Sequence, residues 1–280
     1  MLHTRPSIAD KRRSFHRLHE QGCFVIPNPW DVGSARYLQA LGFKALATTS
    51  SGFAWSHGHA DGGMSRDRVL EHLTAMVEGT DVPINADFEN GFAPDPAGVF
   101  ESVRLAVECG VAGLSIEDST GDDAAPLYAL DVAVERVRAA RKALDKHGAD
   151  ALLVGRAECF LAGKPDLEHT IARLKAYANA GADCLYAPGI ATPAQIAAIV
   201  EAVAPKPVNV LIGFSADLDL PQFAALGVRR LSVGGALARA AWGGFMRAAK
   251  LIQQEGRFDG FTDAASGREL NALFSGNPPV

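Results

Sequence analysis

Apolar and polar positions follow two periods along the chain, and the two periods take turns. Residues 23–27 form a short apolar run bounded by Gly22 and ending in Pro27. A run of that length with those boundaries reads as a buried strand. Similar runs recur at 45–50, 84–88, 113–118, 152–158, 184–188, 208–212 and 230–234. Between most of them lie alanine-rich helical segments, at 96–109, 166–180, 193–204 and 219–226, several closed by a glycine. Alanine favours helix, and glycine just past the last turn is a common stop. Residues 7–21 read as a further helix capped by Ser7, and Asp31 caps another that runs to Gln39.

Eight strands alternating with helices predict an α/β fold of the (β/α)8 barrel type. No Gly-x-Gly-x-x-Gly follows the first strand, which argues against an open dinucleotide-binding sheet. We expect one domain: a barrel with its N-terminal helix over 1–235, and a helical C-terminal extension over 236–280. Two connections, 51–65 and 119–130, are longer than the rest. In a barrel such loops lie at the C-terminal mouth, where active sites form, so both are candidate lids.

Composition narrows the function. Apolar residues make up 48% of the chain, enough for a sizeable core, and the formal net charge of −5 gives no reason to expect nucleic acid. No apolar run approaches the ~18 residues of a membrane span, and residues 1–20 lack a signal-peptide core. Cys23, Cys109, Cys159 and Cys184 show no metal or disulfide spacing. A cytoplasmic location is expected.

The chemistry gathers at strand ends. Asn85, Asp87 and Glu89 alternate, so their side chains leave a strand on one face. Carboxylates held together repel, and a hard divalent cation relieves them. The barrel brings further groups to the same mouth: Ser50 and Ser51, Glu117 and Asp118, Arg156 and Glu158, Asn209, and Ser232. By alternation only one of Glu117 and Asp118 faces inward. Arg156 can hold a substrate carboxylate bidentately or pair with Glu158. Asn209, inside an apolar run, must find buried partners. His57 and His59 read as exposed loop residues, and Tyr128 as packing.

The ordered set Asn28-Pro-Trp-Asp31, Ser34-Ala-Arg36, Thr49-Ser-Ser-Gly52, Asp61-Gly62, Asn85-Ala-Asp87, Ser115-Ile-Glu-Asp118, Gly155-Arg-Ala-Glu158, Gly181-Ala-Asp183 and Pro207-Val-Asn-Val-Leu211 resembles the isocitrate lyase/phosphoenolpyruvate mutase superfamily. The likeness runs from about residue 20 to 245. It implies a barrel in which Mg2+ (or Mn2+) and a 2-oxo acid meet at the mouth, and a C–C or P–C bond breaks through a metal-bound enolate. It implies Asp61, Asp87, Glu117 and Asn85 around the metal. It implies Trp30, Ser51, Gly52, Phe53, Arg156 and Asn209 around a small carboxylic acid substrate, with Asp61, Arg156 and Glu117 in catalytic roles. It also implies a homodimer or homotetramer with an exchanged C-terminal helix.

The departures are informative. Asn85 stands where many relatives carry a metal-binding aspartate. The loop after Glu117 reads Ser-Thr-Gly-Asp-Asp-Ala-Ala-Pro-Leu-Tyr, without the lyase-type cysteine segment, and Pro188 replaces a glutamate usual in C–C lyases. The reading favours a magnesium-dependent C–C lyase of oxaloacetate decarboxylase, methylisocitrate lyase or dimethylmalate lyase type. Asp61, Tyr128 or a lid histidine then supplies the proton. The alternatives are a phosphonopyruvate-type P–C enzyme and a non-catalytic 2-oxo acid-binding paralogue. A Schiff-base aldolase lacks a lysine at a strand end.

Overall fold

The computed structural model describes residues 5–147 and 150–275. Eight parallel strands form the centre: β1 (Phe24–Ile26), β2 (Leu46–Ala47), β3 (Ile84–Asp87), β4 (Gly113–Glu117), β5 (Leu152–Arg156), β6 (Cys184–Tyr186), β7 (Val208–Leu211) and β8 (Arg230–Ser232). Their hydrogen-bonded order, β1-β8-β7-β6-β5-β4-β3-β2, runs round a nearly closed (β/α)8 barrel. The seam lies between β1 and β2. Ala47 N–H donates to Pro27 O across it at 3.1 Å. The Asn28 side chain bridges the same region: its Nδ2 donates to Thr48 O at 2.8 Å. Its Oδ1 accepts from Val233 and Gly234 N–H at 2.8 and 2.9 Å. One amide side chain thus joins the ends of β1, β2 and β8.

The helices are α1 (Ile8–Glu20), α2 (Val32–Ala40), α3 (Ser50–Ser56), α4 (Arg66–Gly79), α5 (Pro96–Glu108), α6 (Leu130–Lys146), α7 (Leu167–Asn179), α8 (Pro193–Val203), α9 (Leu220–Ala225), α10 (Ala236–Glu255) and α11 (Gly267–Phe274). Ser7, Asp31, Thr192 and Asp219 begin α1, α2, α8 and α9 with reciprocal capping bonds. Phe15 of α1 is fully buried against Ala45, Ala112 and Leu152 at the N-terminal ends of the strands. The first helix therefore plugs the bottom of the barrel and leaves chemistry to the top.

One expectation changes. The 51–65 connection is not all loop, because its first turn and a half is α3. Thr49 caps that helix, and Gly52 allows its close packing: a Cβ there would lie 2.8 Å from Thr49 Cγ2 and 2.9 Å from Trp30 Cβ. The extension is helical as expected: α10, a short 3-10 turn (Asp259–Phe261) and α11. Residues 276–280 of the expected 236–280 extension lie outside the described residues. No helix among the described residues is long and apolar enough to cross a membrane.

Candidate active site

The C-terminal ends of the strands enclose a cavity of about 180 Å³, small enough for a metabolite of a few heavy atoms. Its wall includes Thr48, Ser50, Ser51, Asp61, Asn85, Asp87, Arg156, Tyr186, Asn209, Arg230 and Ser232. Strand alternation explains most of this list. Asn85 and Asp87 on β3, Arg156 on β5, Asn209 on β7 and Arg230 and Ser232 on β8 take the inward positions.

Arg156 is the hub. Its Nη1 lies 3.1 Å from Asp87 Oδ1 and 3.3 Å from Glu117 Oε2, and its Nε donates to Glu158. The Tyr186 ring lies beneath the guanidinium, 5.0 Å from centroid to Cζ. Asp87 has two further fixings. Ser50 N–H donates to its Oδ2 at 3.0 Å, and its own N–H donates to Thr48 Oγ1 at 2.9 Å. β2 and the start of α3 thereby lock the end of β3.

Glu89 follows Asp87 with φ of 48°, a left-handed backbone uncommon for a residue with a side chain. Its backbone carbonyl accepts from Glu117 N–H at 3.0 Å, which ties the loop to the end of β4. Burial, then the Asp87 and Asp61 carboxylates, push its pKa up to about 7. Burial also raises Glu117, where Glu158 and Asp87 add repulsion against the pull of Arg156. Partial burial and Asp87 raise Asp61, which hangs over the cavity from the loop after α3. The mouth thus holds more carboxylates than cations, and the protons of Glu89, Glu117 and Asp61 come off late.

Asn85 does something else. Its Oδ1, the atom a metal would use, faces Arg230 Nη1 at 3.4 Å, and its Nδ2 donates to Ala86 O at 3.2 Å. A cation does not share an oxygen with a buried guanidinium. Asn85 therefore belongs to the barrel interior and not to the carboxylate group. Trp30, Gly52 and Phe53, expected around the substrate, lie behind the cavity wall. Trp30 borders a groove with Ala238 and Trp242. Phe53 stacks on His72 with ring centroids 4.0 Å apart. Both pack α3 in place rather than touch the cavity.

Glu117 and Asp118 divide as alternation requires. Asp118 turns outward, accepting from Arg173 Nη1 at 2.9 Å, Tyr177 Oη at 2.6 Å and Glu158 N–H at 2.8 Å. Of the expected proton donors, Asp61 alone borders the cavity. Tyr128 lies under Arg136, 4.2 Å from centroid to Cζ, and His59 borders an outer groove with Trp55 and Trp242.

Sequence reading passed over Arg230 and Tyr186. The signal was available: Arg230 is two residues before Ser232 and Tyr186 two after Cys184, so each shares an inward face. Among the described residues no three carboxylate, imidazole or thiol groups stand close enough to enclose a metal ion. Arg156 occupies the centre of the acids instead. The oxygen-rich donor set nevertheless suits magnesium, which takes one or two carboxylates and keeps several waters.

Comparison with known proteins agrees with the barrel. The sequence model of the phosphoenolpyruvate phosphomutase family matches residues 15–253. A crystal structure of a candidate lyase/mutase from Burkholderia cenocepacia superposes with a TM-score of 0.94 at 48% identity, over 97% of this chain and 99% of that one. An uncharacterised protein of Mycobacterium tuberculosis is 32% identical over 79% of this chain and 81% of its own length. Oxaloacetate decarboxylase of Paraburkholderia xenovorans is 30% identical over 69% of this chain and 66% of its own length. The family match spans the barrel and most of α10, so the chain belongs to the isocitrate lyase/phosphoenolpyruvate mutase superfamily of lyases and mutases.

Proposed function

We propose that the protein is a magnesium-dependent lyase that breaks a C–C bond next to the oxo group of a small 2-oxo dicarboxylic acid, with decarboxylation of an oxaloacetate-like acid as the preferred reaction. One observation carries this reading: Asp61, Asp87, Glu89, Glu117 and Glu158 crowd round Arg156 at the mouth of a small cavity. A divalent cation answers that surplus of acid over base. Asp87 would be its main ligand, and Asp61, Glu89 and Glu117 would hold it directly or through water. When bound, magnesium supplies a Lewis acid for the negative charge that grows on the 2-oxo oxygen as the bond breaks.

The chain's own groups do the rest. Arg156 takes a substrate carboxylate in exchange for one of its internal partners. Ser51, at the wall beside Gly235, orients the oxo acid. Leu161 and Leu211 limit water in the cavity. Loss of CO2 needs no proton donor at the bond-breaking step, so the missing lyase-type cysteine is no obstacle. Asp61, the one expected donor that borders the cavity, delivers the proton afterwards. The identity with an oxaloacetate decarboxylase supports the same subtype.

Turnover of oxaloacetate, phosphonopyruvate and 2-methylisocitrate, with and without magnesium, tests the reading. Magnesium-dependent release of pyruvate and CO2 from oxaloacetate is expected. No metal-dependent activity on any of the three acids overturns it. The matched family's description favours a second reading, P–C bond chemistry on a phosphonopyruvate-like acid. Faster turnover of phosphonopyruvate than of oxaloacetate selects it.

We also propose a homodimer or homotetramer with exchanged C-terminal helices. Trp242, Phe245, Phe258, Phe261 and Phe274 on the extension are exposed in the single chain. So many exposed aromatic side chains on one arm favour burial against a second copy.

A further inference from the structure

The cavity has a second arginine, and it is placed unlike the first. Arg156 is surrounded by carboxylates. Arg230 is 3% exposed, and among the described residues no carboxylate lies within ion-pair distance of it. Its partners are all neutral. Nε donates to Asn209 Oδ1 at 2.9 Å, and Nη1 faces Asn85 Oδ1 and His19 Nε2, each at 3.4 Å. His19 Nδ1 donates to Phe15 O at 2.8 Å, which leaves Nε2 as the acceptor for Arg230. A guanidinium stays charged in protein, and a buried charge without a counter-ion is strongly disfavoured.

Arg230 also fixes the direction of a hydrogen-bond chain. An arginine only donates, so the Asn209 oxygen must face it. The Asn209 Nδ2 then donates to Ser232 Oγ at 2.9 Å. Ser232 accepts that bond and keeps its own hydrogen for the Tyr186 phenol or for a ligand in the cavity. Asn209 is fully buried and Ser232 is 5% exposed, so water does not compete freely for these bonds. The β7–β8 wall is therefore polarised towards donating, opposite the acids of β3 and β4.

We infer that Arg230 is a positioning residue: through Asn209 it turns the Ser232 hydroxyl into a donor and makes this wall the subsite for the second carboxylate of a small dicarboxylic acid. The choice of a dicarboxylate rests on the proposed lyase reading. The wall's preference for an anionic oxygen does not. An acid with one carboxylate uses Arg156 and the metal side alone.

Calorimetry on the full chain with magnesium tests this, using malonate as an unreactive dicarboxylate and pyruvate as a monocarboxylate. Arg230→Met is expected to weaken malonate about tenfold or more, the scale of a lost hydrogen bond to a charged group, and to leave pyruvate within about twofold. Ser232→Ala alone should weaken malonate severalfold, but should add little in the Arg230→Met background, because the chain is already broken. Equal weakening of both probes means a structural role and overturns the inference, as does a wild-type chain that does not bind malonate. If Arg230→Met does not fold, Ser232→Ala decides: unchanged malonate affinity overturns the inference. Malonate discrimination without oxaloacetate turnover overturns the lyase reading and supports this one.

Discussion

Asp87 on β3 and Arg156 on β5 meet across β4, with Oδ1 and Nη1 3.1 Å apart. The pair joins the acid proposed to hold the metal to the base proposed to hold the substrate. Each is kept in place by other groups: Asp87 by Ser50 and Thr48, Arg156 by Glu117 and Glu158. Such cross-bracing keeps a site ready before its ligands arrive.

Asp87→Ala is expected to abolish magnesium-dependent turnover, lowering kcat/KM by about a thousandfold, since a Lewis acid contributes several kcal/mol. The fold should survive, because Arg156 keeps Glu117 and Glu158 as partners. Steady-state kinetics together with circular dichroism check both halves. Retained turnover in a folded variant would remove Asp87 from the centre of the site.

Adjacent residues should fail in opposite ways. Asp118→Ala leaves Arg173, itself 4% exposed, without its carboxylate, and should cost about 3–5 kcal/mol of stability. Glu117→Gln should shift the denaturation midpoint far less, because burial raises the Glu117 pKa and Arg156 keeps Asp87 and Glu158 as partners. It should lower turnover sharply. Urea titrations and kinetics on the two variants separate the roles. An activity loss from Asp118→Ala with unchanged stability would contradict this division.

Glu89 makes stability depend on pH. Its pKa rises from an ordinary 4.5 to about 7 on folding, chiefly through burial. The folded chain then binds the proton more tightly than the unfolded chain. This contribution to stability is greatest below about pH 4.5, declines up to about pH 7, and is flat above. Burial lowers His19 and His72, to about 3 and about 4, and these push the other way below pH 6.5. The useful readout is thus the difference in Tm between the magnesium-free wild type and Glu89→Gln. The wild type should lose stability relative to the variant from pH 5 to 7. A difference that is constant over that range would show that Glu89 titrates normally.

Asn28→Ala should open the barrel seam. It removes three hydrogen bonds among the ends of β1, β2 and β8, at a cost of about 3 kcal/mol. Thr48, which holds Asp87, should move with it, so turnover should fall as well. Hydrogen exchange at the Ala47, Val233 and Gly234 amides reports the opening. Unchanged protection at all three would mean that the seam is held elsewhere.

The oligomer can be tested by shortening the chain. A protein ending at Glu255 loses Phe258, Phe261 and Phe274 with α11. Light scattering should show a smaller assembly than the full chain forms. An unchanged mass would sink the exchange of terminal helices.

Sequence by itself determined the barrel. Eight short apolar runs, the caps at Ser7 and Asp31, and the glycine stops are local signals, and local propensity and burial act on neighbours in the chain. It also brought Asp87, Glu117 and Arg156 to the mouth, because strand alternation is a property of the backbone; Glu117 and Asp118 divide accordingly. Tertiary structure alone decided what each group faces once there. Asn85 and Asp87 share one face of β3, yet one meets Arg230 and the other Arg156. Their partners come from strands 145 and 69 residues away, and no local pattern encodes such a distance. Trp30, Gly52 and Phe53 were moved behind the wall for the same reason, since the packing of α3 against α10 sets their place. Arg230 was overlooked because an arginine opening a strand reads as a solvated end. Only closure of the barrel encloses it and, among the described residues, leaves its charge facing Asn209, Asn85 and His19 rather than a carboxylate.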